Sequence, residues 1–250
     1  MVPARAKLNL DLEVVGRRPD GFHDLRTTFQ AIDLHDLLEI EPATTTRMTA
    51  EGFALDNEDN SVIKAHGAME RAAGTTLPVK IHLIKRIPPG SGMGGASSDA
   101  AATLRALQTM FNMKIDVQGI AEELGSDVPF FLIGGRARAQ GRGERLQRLD
   151  AEQSWFAIAW PGYELATAEV YKKWDEVNGE SPNALSRAAE HVEPRLKRFK
   201  QQLGAGWQMT GSGSAFFQQV TTEREARHAN KAIKNLGCWT VVAAAVPPWA

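Results

Sequence analysis

The sequence predicts an α+β protein built from two parts, with a soft boundary near residue 148. In the first part, residues 1–148, polar and apolar residues alternate strictly from Lys7 to Val14, and a Pro-Asp-Gly turn then leads into a run of β-branched and apolar residues. Strict alternation indicates a half-buried strand, and a tight turn between two such runs indicates an antiparallel start. In the second part, residues 149–250, strand and helix patterns again mix along the chain, which favours a second α+β unit.

The remaining elements follow from periodicity and from residues that typically begin or end helices. In the first part, strands are predicted at 78–88 and in the apolar stretch after Ser126, and helices at 57–74, 97–111 and 116–125. The second part is predicted to contain a strand at 154–162, a helix at 184–204 that Pro194 kinks or splits, a strand-turn-strand at 207–220, and a final helix and strand. No linker separates the parts, so we expect a ligand-binding cleft between them.

Composition limits the kind of ligand. The 250 residues carry a formal net charge of −1 and include no dense block of lysine and arginine, which argues against nucleic-acid or membrane-surface binding. No apolar run reaches ~18 residues and the amino terminus lacks a signal-peptide core, so we expect a cytoplasmic protein. The single cysteine, Cys238, excludes an internal disulfide, and the six histidines lack zinc-ligand spacing. A small charged or polar molecule is the expected ligand, with no structural metal.

A glycine-rich segment, Gly90–Gly95, precedes the helix predicted at 97–111. Glycine lets backbone N–H groups approach a phosphate, and a helix N-terminus adds roughly half a positive charge. Ser97 and Ser98 could cap the helix or reach a phosphate or its metal, and Asp99 would lie in the first turn, where a carboxylate suits the helix dipole. A loop that merely turns the chain is the alternative, but the density of glycine favours phosphate binding.

Two familiar phosphate-binding motifs fit this segment poorly. It is not a Walker A loop, because no lysine follows Gly95. Gly90, Gly92 and Gly95 do match G-x-G-x-x-G, with Asp116 about 20 residues further on, as in a dinucleotide site. However, that fingerprint follows its strand directly, whereas residues 86–89 intervene here, and Asp116 is followed at once by a helical pattern. We therefore disfavour a dinucleotide site.

Polar residues elsewhere allow more than one interpretation. Lys7 and Asn9 share one face of the first strand, because a two-residue step returns to the same face, and a solvated edge is the simpler explanation. Asp127 precedes a strongly apolar stretch, where an unpaired carboxylate is costly. With a nearby lysine it could accept a proton from a substrate hydroxyl, a role worth ~10²–10⁴ in rate. Alternatively, it could form an Asx turn or a helix cap.

Two further segments suit a nucleotide ligand or simple structural roles. Phe22 and His23 directly follow the Pro-Asp-Gly turn and combine an aromatic ring with a donor and acceptor, which suits stacking on a base and reading its edge, although most such pairs only pack. The second glycine turn, TGSGSAFF from Thr210 to Phe217, is either a tight hairpin or a second wall for an anionic ligand.

Four stretches follow one another along the chain: AKLNLDLEVVGRRPDGFHDL, PPGSGMGGASSDAAATL, GSDVPFFL and MTGSGSAFF. Together and in this order they resemble the GHMP kinases, which are small-molecule kinases named for galactose, homoserine, mevalonate and phosphomevalonate. The first stretch is similar to the members that phosphorylate the 2-hydroxyl of a cytidine-diphosphate-linked methylerythritol in the non-mevalonate route to isoprenoids. The resemblance implies a two-domain GHMP-kinase-like fold that uses ATP and Mg²⁺. Its N-terminal domain would be ribosomal-protein-S5-like (1–148), and its C-terminal domain ferredoxin-like α+β (149–250).

The same resemblance implies roles for individual residues. Asp127 would be the catalytic base and Lys7 its charged partner beside the transferred phosphoryl group. The substrate would contact Asn9, Phe22, His23 and Tyr171. The nucleotide would contact Asn60, Lys85, Pro89, Gly90, Gly92, Gly94, Gly95, Ser97 and Ser98. No side chain is assigned to the metal, since Mg²⁺ often binds mainly through phosphates and water.

Other functions remain open at this point, and so does the assembly state, for which a monomer or weak homodimer is expected. A sibling kinase for mevalonate, homoserine or a sugar would not need the base-recognition turn that ends in Phe22 and His23. A catalytically silent nucleotide-binding protein would need neither Lys7 nor Asp127, because binding ATP alone requires neither residue.

Overall fold

A computed structural model describes residues 1–53 and 60–249. The first of its two β-sheets is formed by β1 (Val2–Arg17), β2 (His23–Pro42), β3 (Arg47–Gly52), β4 (Val79–Lys85), β5 (Arg136–Gly141) and β6 (Arg145–Leu149). The strand order is β3-β4-β2-β5-β6, with β1 paired to β2. Only the β3–β4 pair is parallel among these described strands. The predicted antiparallel start is confirmed, with β2 as one long strand.

The helices of the first part pack on this sheet. They are α1 (Ser61–Ala73), α2 (Gly95–Met110), α3 (Val117–Leu124) and α4 (Val128–Ile133). Helix α1 begins where the Asn60 side chain accepts a hydrogen bond from the backbone of Val62 (2.8 Å), and it ends at Gly74 in the left-handed conformation. The part of the predicted 57–74 helix at residues 57–59 lies outside the described residues. Small residues of α2, Ala100–Ala102, are buried in the core and bring this helix close to the sheet.

The second sheet contains β7 (Trp155–Trp160), β8 (Gln208–Met209), β9 (Phe216–Val220) and β10 (Trp239–Ala244), in the antiparallel order β10-β7-β9-β8. Its helices are α5 (Thr167–Val177), α6 (Ser186–Val192), α7 (Arg195–Leu203) and α8 (Glu223–Ala232), and a 3₁₀ turn follows at Lys234–Leu236. This β-α-β-β-α-β order is ferredoxin-like, as the resemblance implied. Pro194 splits the predicted helix into α6 and α7, and α5 was not predicted.

A buried apolar cluster joins the two sheets. Leu8 and Ile32 from the first sheet pack with Phe156 and Phe217 from the second, and Met93 of the glycine-rich segment lies in the same cluster. All five side chains are at most 1% exposed. The segment predicted to bind phosphate is therefore anchored between the sheets.

Three local predictions are wrong. The apolar stretch Val128–Ile133 is helix α4 and not a strand, because Pro129 suits the first turn of a helix, and the strand follows at 136–141. Helix α2 begins at Gly95 with Gly94 at its N-cap position, so Ser97 and Ser98 lie within its first turn and do not cap it. Asp99 lies beyond that first turn and is buried.

Within the described residues, no helix is long and apolar enough to cross a membrane.

Candidate active site

One cavity of about 1030 Å³ opens where β1, the start of α2, the start of α4 and α5 meet. A cavity of this size can enclose a nucleotide together with a small substrate. Every predicted site residue except Ser98 lines it, namely Lys7, Asn9, Phe22, His23, Asn60, Lys85, Pro89, Gly90, Gly92, Gly94, Gly95, Ser97, Asp127 and Tyr171. Ser98 is buried, and its hydroxyl has no hydrogen-bond partner among the described residues.

Lys7 and Asp127 meet in this cavity, although they are far apart in sequence. The Lys7 ammonium lies 3.5 Å from the Asp127 carboxylate and donates a hydrogen bond to the Asn9 side chain. Burial lowers the pKa of Lys7, and the negative charge of Asp127 opposes that effect. The result is a buried cation held beside a carboxylate at the cavity wall.

Lys7 and Asn9 are not on a solvated edge, because both are only 3% exposed. Other segments cover this part of β1: the backbone N–H of Lys7 donates to Met93 (3.0 Å), and that of Asn9 donates to the Thr210 hydroxyl (2.9 Å). The Asn9 side chain also donates to Thr27 (2.8 Å). The simpler interpretation of a solvated edge therefore fails, because the two glycine-rich turns pack over this part of the strand.

Asp127 occupies the N-cap position of α4, but its side chain makes no capping hydrogen bond. The capping alternative is therefore wrong in detail: the backbone lies where a cap would be, while the carboxylate pairs with Lys7. Its side chain is 31% exposed, against 4% for Lys7. A carboxylate in this position is reachable from the cavity and can accept a proton there.

The glycine-rich segment forms one wall of the cavity. Gly90, Gly92 and Gly94 adopt φ values of 56°, 79° and 74°, a left-handed region that glycine enters without steric cost. A Cβ atom on Gly94 would lie 2.7 Å from the ring of Phe131 and 3.3 Å from Cε of Lys7. Glycine is thus required both for the shape of the loop and for its close approach to the Lys7 side chain.

The turn at 210–214 packs directly on the first glycine segment. The backbone N–H of Ser214 donates to Gly90 (3.1 Å), and that of Ala215 donates to Ser91 (3.0 Å). Within the turn, the N–H of Gly213 donates to Thr210 (3.0 Å). The segment is therefore a tight turn, and its residues 211 and 212 also line the cavity. That it forms a wall for an anionic ligand stays a prediction.

Lys85 lies in a buried ionic cluster under the glycine segment. Its ammonium donates to Asp36 and, over 2.7 Å, to Asp99, and all three side chains are at most 4% exposed. Asp36 also accepts the backbone N–H groups of Arg86 (2.5 Å) and Ile87 (2.8 Å). The cluster therefore connects β2, the end of β4 and the start of α2, and it holds the two ends of the glycine segment together.

Burial and mutual interaction shift the pKa values of Asp99 and Lys85 in this cluster. Burial raises the pKa of Asp99 to about 8, although Lys85 opposes the shift, and the nearby Asp36 raises it further. Burial alone would lower the pKa of Lys85, but the two carboxylates outweigh it and raise that pKa. In this cluster, burial therefore favours the protonated form of Asp99, while the neighbouring carboxyl groups favour the charged form of Lys85.

An aromatic wall closes the other end of the cavity. His23 stacks on Tyr171, with ring centroids 5.0 Å apart and planes at 25°, and its Nε2 lies 2.7 Å from Asp175. Phe22 is 49% exposed, and the guanidinium of Arg142 lies 4.9 Å from its ring centre. Because His23 and Tyr171 stack on each other, no further ring can lie between them.

Sequence reasoning missed several residues at this site. Arg17, Arg142 and Lys172 line the cavity and add positive charge near the aromatic wall. Asp36 and Asp175 hold Lys85 and His23 from distant segments. No local pattern marks these residues, because each becomes relevant only when two remote parts of the chain come together.

No group of three His, Cys, Asp or Glu side chains suited to a metal ion is found in the described ranges. Beside the glycine segment, the Asp127 carboxylate remains accessible from the cavity. A site with so few acidic ligands fits an ion that is held mainly by phosphate oxygens and water, as Mg²⁺ often is at phosphoryl-transfer sites.

The fold and the cavity agree with the expectation of a small-molecule kinase of the GHMP type. Residues 60–135 match the model of the GHMP kinase N-terminal domain. The mevalonate kinase of L. major, solved with R-mevalonate, shares the fold, with a TM-score of 0.68 at 16% identity over 99% of this chain and 96% of that one.

Two proteins with higher sequence identity to this chain show which kind of GHMP kinase it resembles. A relative from Chromohalobacter salexigens named 4-diphosphocytidyl-2-C-methyl-D-erythritol kinase is 36% identical, covering 90% of this chain and 84% of the relative. A crystal structure of 4-(cytidine 5'-diphospho)-2C-methyl-D-erythritol kinase superimposes with a TM-score of 0.83 at 34% identity, over 98% of both chains. The chain belongs to the family of 4-diphosphocytidyl-2-C-methyl-D-erythritol kinases. The resemblance, the fold class and the kinase assignment predicted from sequence are confirmed.

Proposed function

We propose that this chain transfers the γ-phosphoryl group of ATP to the 2-hydroxyl of 4-diphosphocytidyl-2-C-methyl-D-erythritol. The observation that carries the proposal is a single cavity that contains the Lys7–Asp127 pair, the glycine segment and the aromatic wall around His23. The Lys7–Asp127 pair suits the phosphoryl transfer, and the glycine segment suits binding of the ATP phosphates. The aromatic wall suits binding of the cytosine base.

In the transfer step, the substrate hydroxyl oxygen bonds to the γ-phosphorus while the bond to the bridging oxygen of ADP breaks. Asp127 accepts the hydroxyl proton, which its accessible carboxylate can do. The buried ammonium of Lys7 stabilises the negative charge on the transferred group, and burial strengthens that interaction because little water screens it. Asn9 holds the Lys7 ammonium in place through its side-chain oxygen.

The glycine segment and the N-terminus of α2 would bind the ATP phosphates through backbone N–H groups. Ser97 in the first turn of α2 supplies a hydroxyl at the same wall, while Asn60 and Pro89 line the cavity beside it. Lys85 is engaged by Asp36 and Asp99, so its contribution is to hold the segment and the nearby nucleotide surface. Ser98 is buried and does not line the cavity, so no direct contact with the nucleotide is assigned to it.

The cytosine would stack on the exposed Phe22 ring or on the outer face of the His23–Tyr171 pair, and His23 would read its edge. Arg17, Arg142 and Lys172 line this end of the cavity and would attract the substrate diphosphate.

Mg²⁺, when bound, would neutralise charge on the phosphate oxygens.

Three expectations from the sequence stay predictions. They are a cytoplasmic location, a monomer or weak homodimer, and a division into domains 1–148 and 149–250. The boundary is supported by the strands, since the first sheet ends at Leu149 and the second begins at Trp155.

ADP release tests the substrate directly, with 4-diphosphocytidyl-2-C-methyl-D-erythritol compared with mevalonate and homoserine as acceptors. We expect turnover with the cytidylyl substrate alone. Turnover with mevalonate or homoserine instead would favour a sibling kinase. ATP binding without turnover of any acceptor would favour a silent nucleotide-binding protein.

A further inference from the structure

We propose that Asp175 is a positioning residue for base recognition, which fixes the His23 ring so that its Nδ1 atom faces the pyrimidine. This inference rests on the proposed function, because it assumes that His23 reads the base of the substrate. It adds a residue from helix α5 that touches neither the reacting atoms nor, in this account, the base itself.

Three neighbouring residues of α5 hold the His23 ring. Asp175 Oδ1 lies 2.7 Å from Nε2, Tyr171 stacks on one face, and Trp174 contacts the ring edge-on with centroids 5.5 Å apart. The His23 side chain is only 7% exposed. One face and one nitrogen of the imidazole are therefore occupied by the protein.

The carboxylate determines which nitrogen carries the proton. An ionised carboxylate only accepts hydrogen bonds, so Nε2 must donate, and in the neutral ring Nδ1 is then an acceptor. Nδ1 makes no hydrogen bond to any described residue, while His23 lines the cavity. An acceptor at this position suits the amino group of cytosine and opposes the carbonyl oxygen that uracil carries at the same ring position.

Arg17 holds the other oxygen of the same carboxylate. Its guanidinium lies 3.7 Å from Asp175 Oδ2, although the Arg17 side chain is itself 64% exposed. The carboxylate thus connects the end of β1, the start of β2 and helix α5. Without it, the imidazole could rotate or change tautomer, and an N–H group in place of the acceptor would favour uracil.

The kinetic experiment compares Asp175→Ala with Asp175→Asn, because the asparagine oxygen can still accept the hydrogen bond from Nε2. Glu176→Gln is the matched control: Glu176 is the next residue on α5, its side chain is 56% exposed, and it pairs with Lys173. Each variant is tested with the cytidylyl substrate and with its uridylyl analogue.

For Asp175→Ala we expect the KM for the cytidylyl substrate to rise about tenfold and the cytidylyl preference to fall about tenfold, since one oriented hydrogen bond is worth about 1.4 kcal/mol. The KM for ATP should change less than about twofold. Asp175→Asn should keep most of the preference, and Glu176→Gln all of it. An unchanged preference in Asp175→Ala, or an equal loss in Asp175→Asn, would overturn the proposal.

Nitrogen NMR of the ligand-free protein provides a readout that does not depend on turnover. The wild type and Asp175→Asn should show His23 in the Nε2–H form, and Asp175→Ala should show a mixture of tautomers. An unchanged tautomer in Asp175→Ala refutes the positioning role. Absence of turnover with the cytidylyl substrate in the wild type would instead refute the proposed function, so the two failures are distinguishable.

Discussion

The buried cluster of Lys85, Asp36 and Asp99 predicts a pH dependence of stability that Asp99→Asn should remove. Asparagine has nearly the shape of a protonated aspartate, carries no charge, and keeps an oxygen that can accept the hydrogen bond from Lys85. The substitution therefore removes the titration of this site with little change to its packing.

The magnitude follows from proton linkage. Folding raises the pKa of Asp99 from its ordinary value of 3.8 to about 8. Between about pH 4 and about pH 8, the folded chain therefore holds a proton that the unfolded chain has released. The free energy of unfolding therefore falls as pH rises, by at most about 1.4 kcal/mol per pH unit. This contribution is fully present below about pH 4 and is lost above about pH 8.

The assay is urea unfolding of the wild type and Asp99→Asn, followed by tryptophan fluorescence at several values between about pH 5 and about pH 8. The unfolding free energy of the variant minus that of the wild type should rise with pH, by up to about 4 kcal/mol over this range. Titrations common to both proteins cancel in the difference. Asp150→Asn, at an exposed residue, should give a curve parallel to the wild type. A parallel curve for Asp99→Asn would contradict this prediction, because it would mean that Asp99 is ionised in the folded protein.

Three further substitutions test other parts of the account. Lys7→Met should lower kcat by ~10²–10⁴ without unfolding the protein, because it removes the cation beside the transferred group; ADP release and circular dichroism check both points. Gly94→Ala should destabilise by about 1–3 kcal/mol in urea unfolding, given its φ of 74° and a Cβ 2.7 Å from Phe131. Its control, Gly67→Ala in the middle of α1, meets only a side-chain atom at 3.5 Å and should be neutral or stabilising. Phe217→Ala should cost about 3–5 kcal/mol by the same method, because its ring is fully buried between the sheets.

Much of the fold was predictable because its signals are local. Alternation in β1, the cap at Asn60, the split at Pro194 and the left-handed Gly74 each depend on a few neighbouring residues. The prediction failed at Val128–Ile133, where an apolar run of six residues fits a strand or a short helix equally well by periodicity. Pro129 near the start of that run was the available signal for the helix.

The residues that line the cavity were predictable where they resembled family motifs, and less so where the cavity depends on tertiary contacts. Lys7 was expected to be solvated by its strand pattern alone, because alternation cannot reveal that Met93 and Thr210 cover β1. Asp36 and Asp175 carry no sequence signal, since their partners Lys85 and His23 lie on remote segments. Such buried and partly buried ionic contacts were visible only once the chain was folded.

In the proposed mechanism, Asp127 accepts the substrate proton beside Lys7. The decisive measurement is single-turnover phosphoryl transfer by Asp127→Asn, with ATP affinity determined by calorimetry on the same preparation. We expect a transfer rate lower by ~10²–10⁴ with ATP affinity nearly unchanged. A transfer rate close to that of the wild type would contradict it and would place the proton acceptor elsewhere in the cavity.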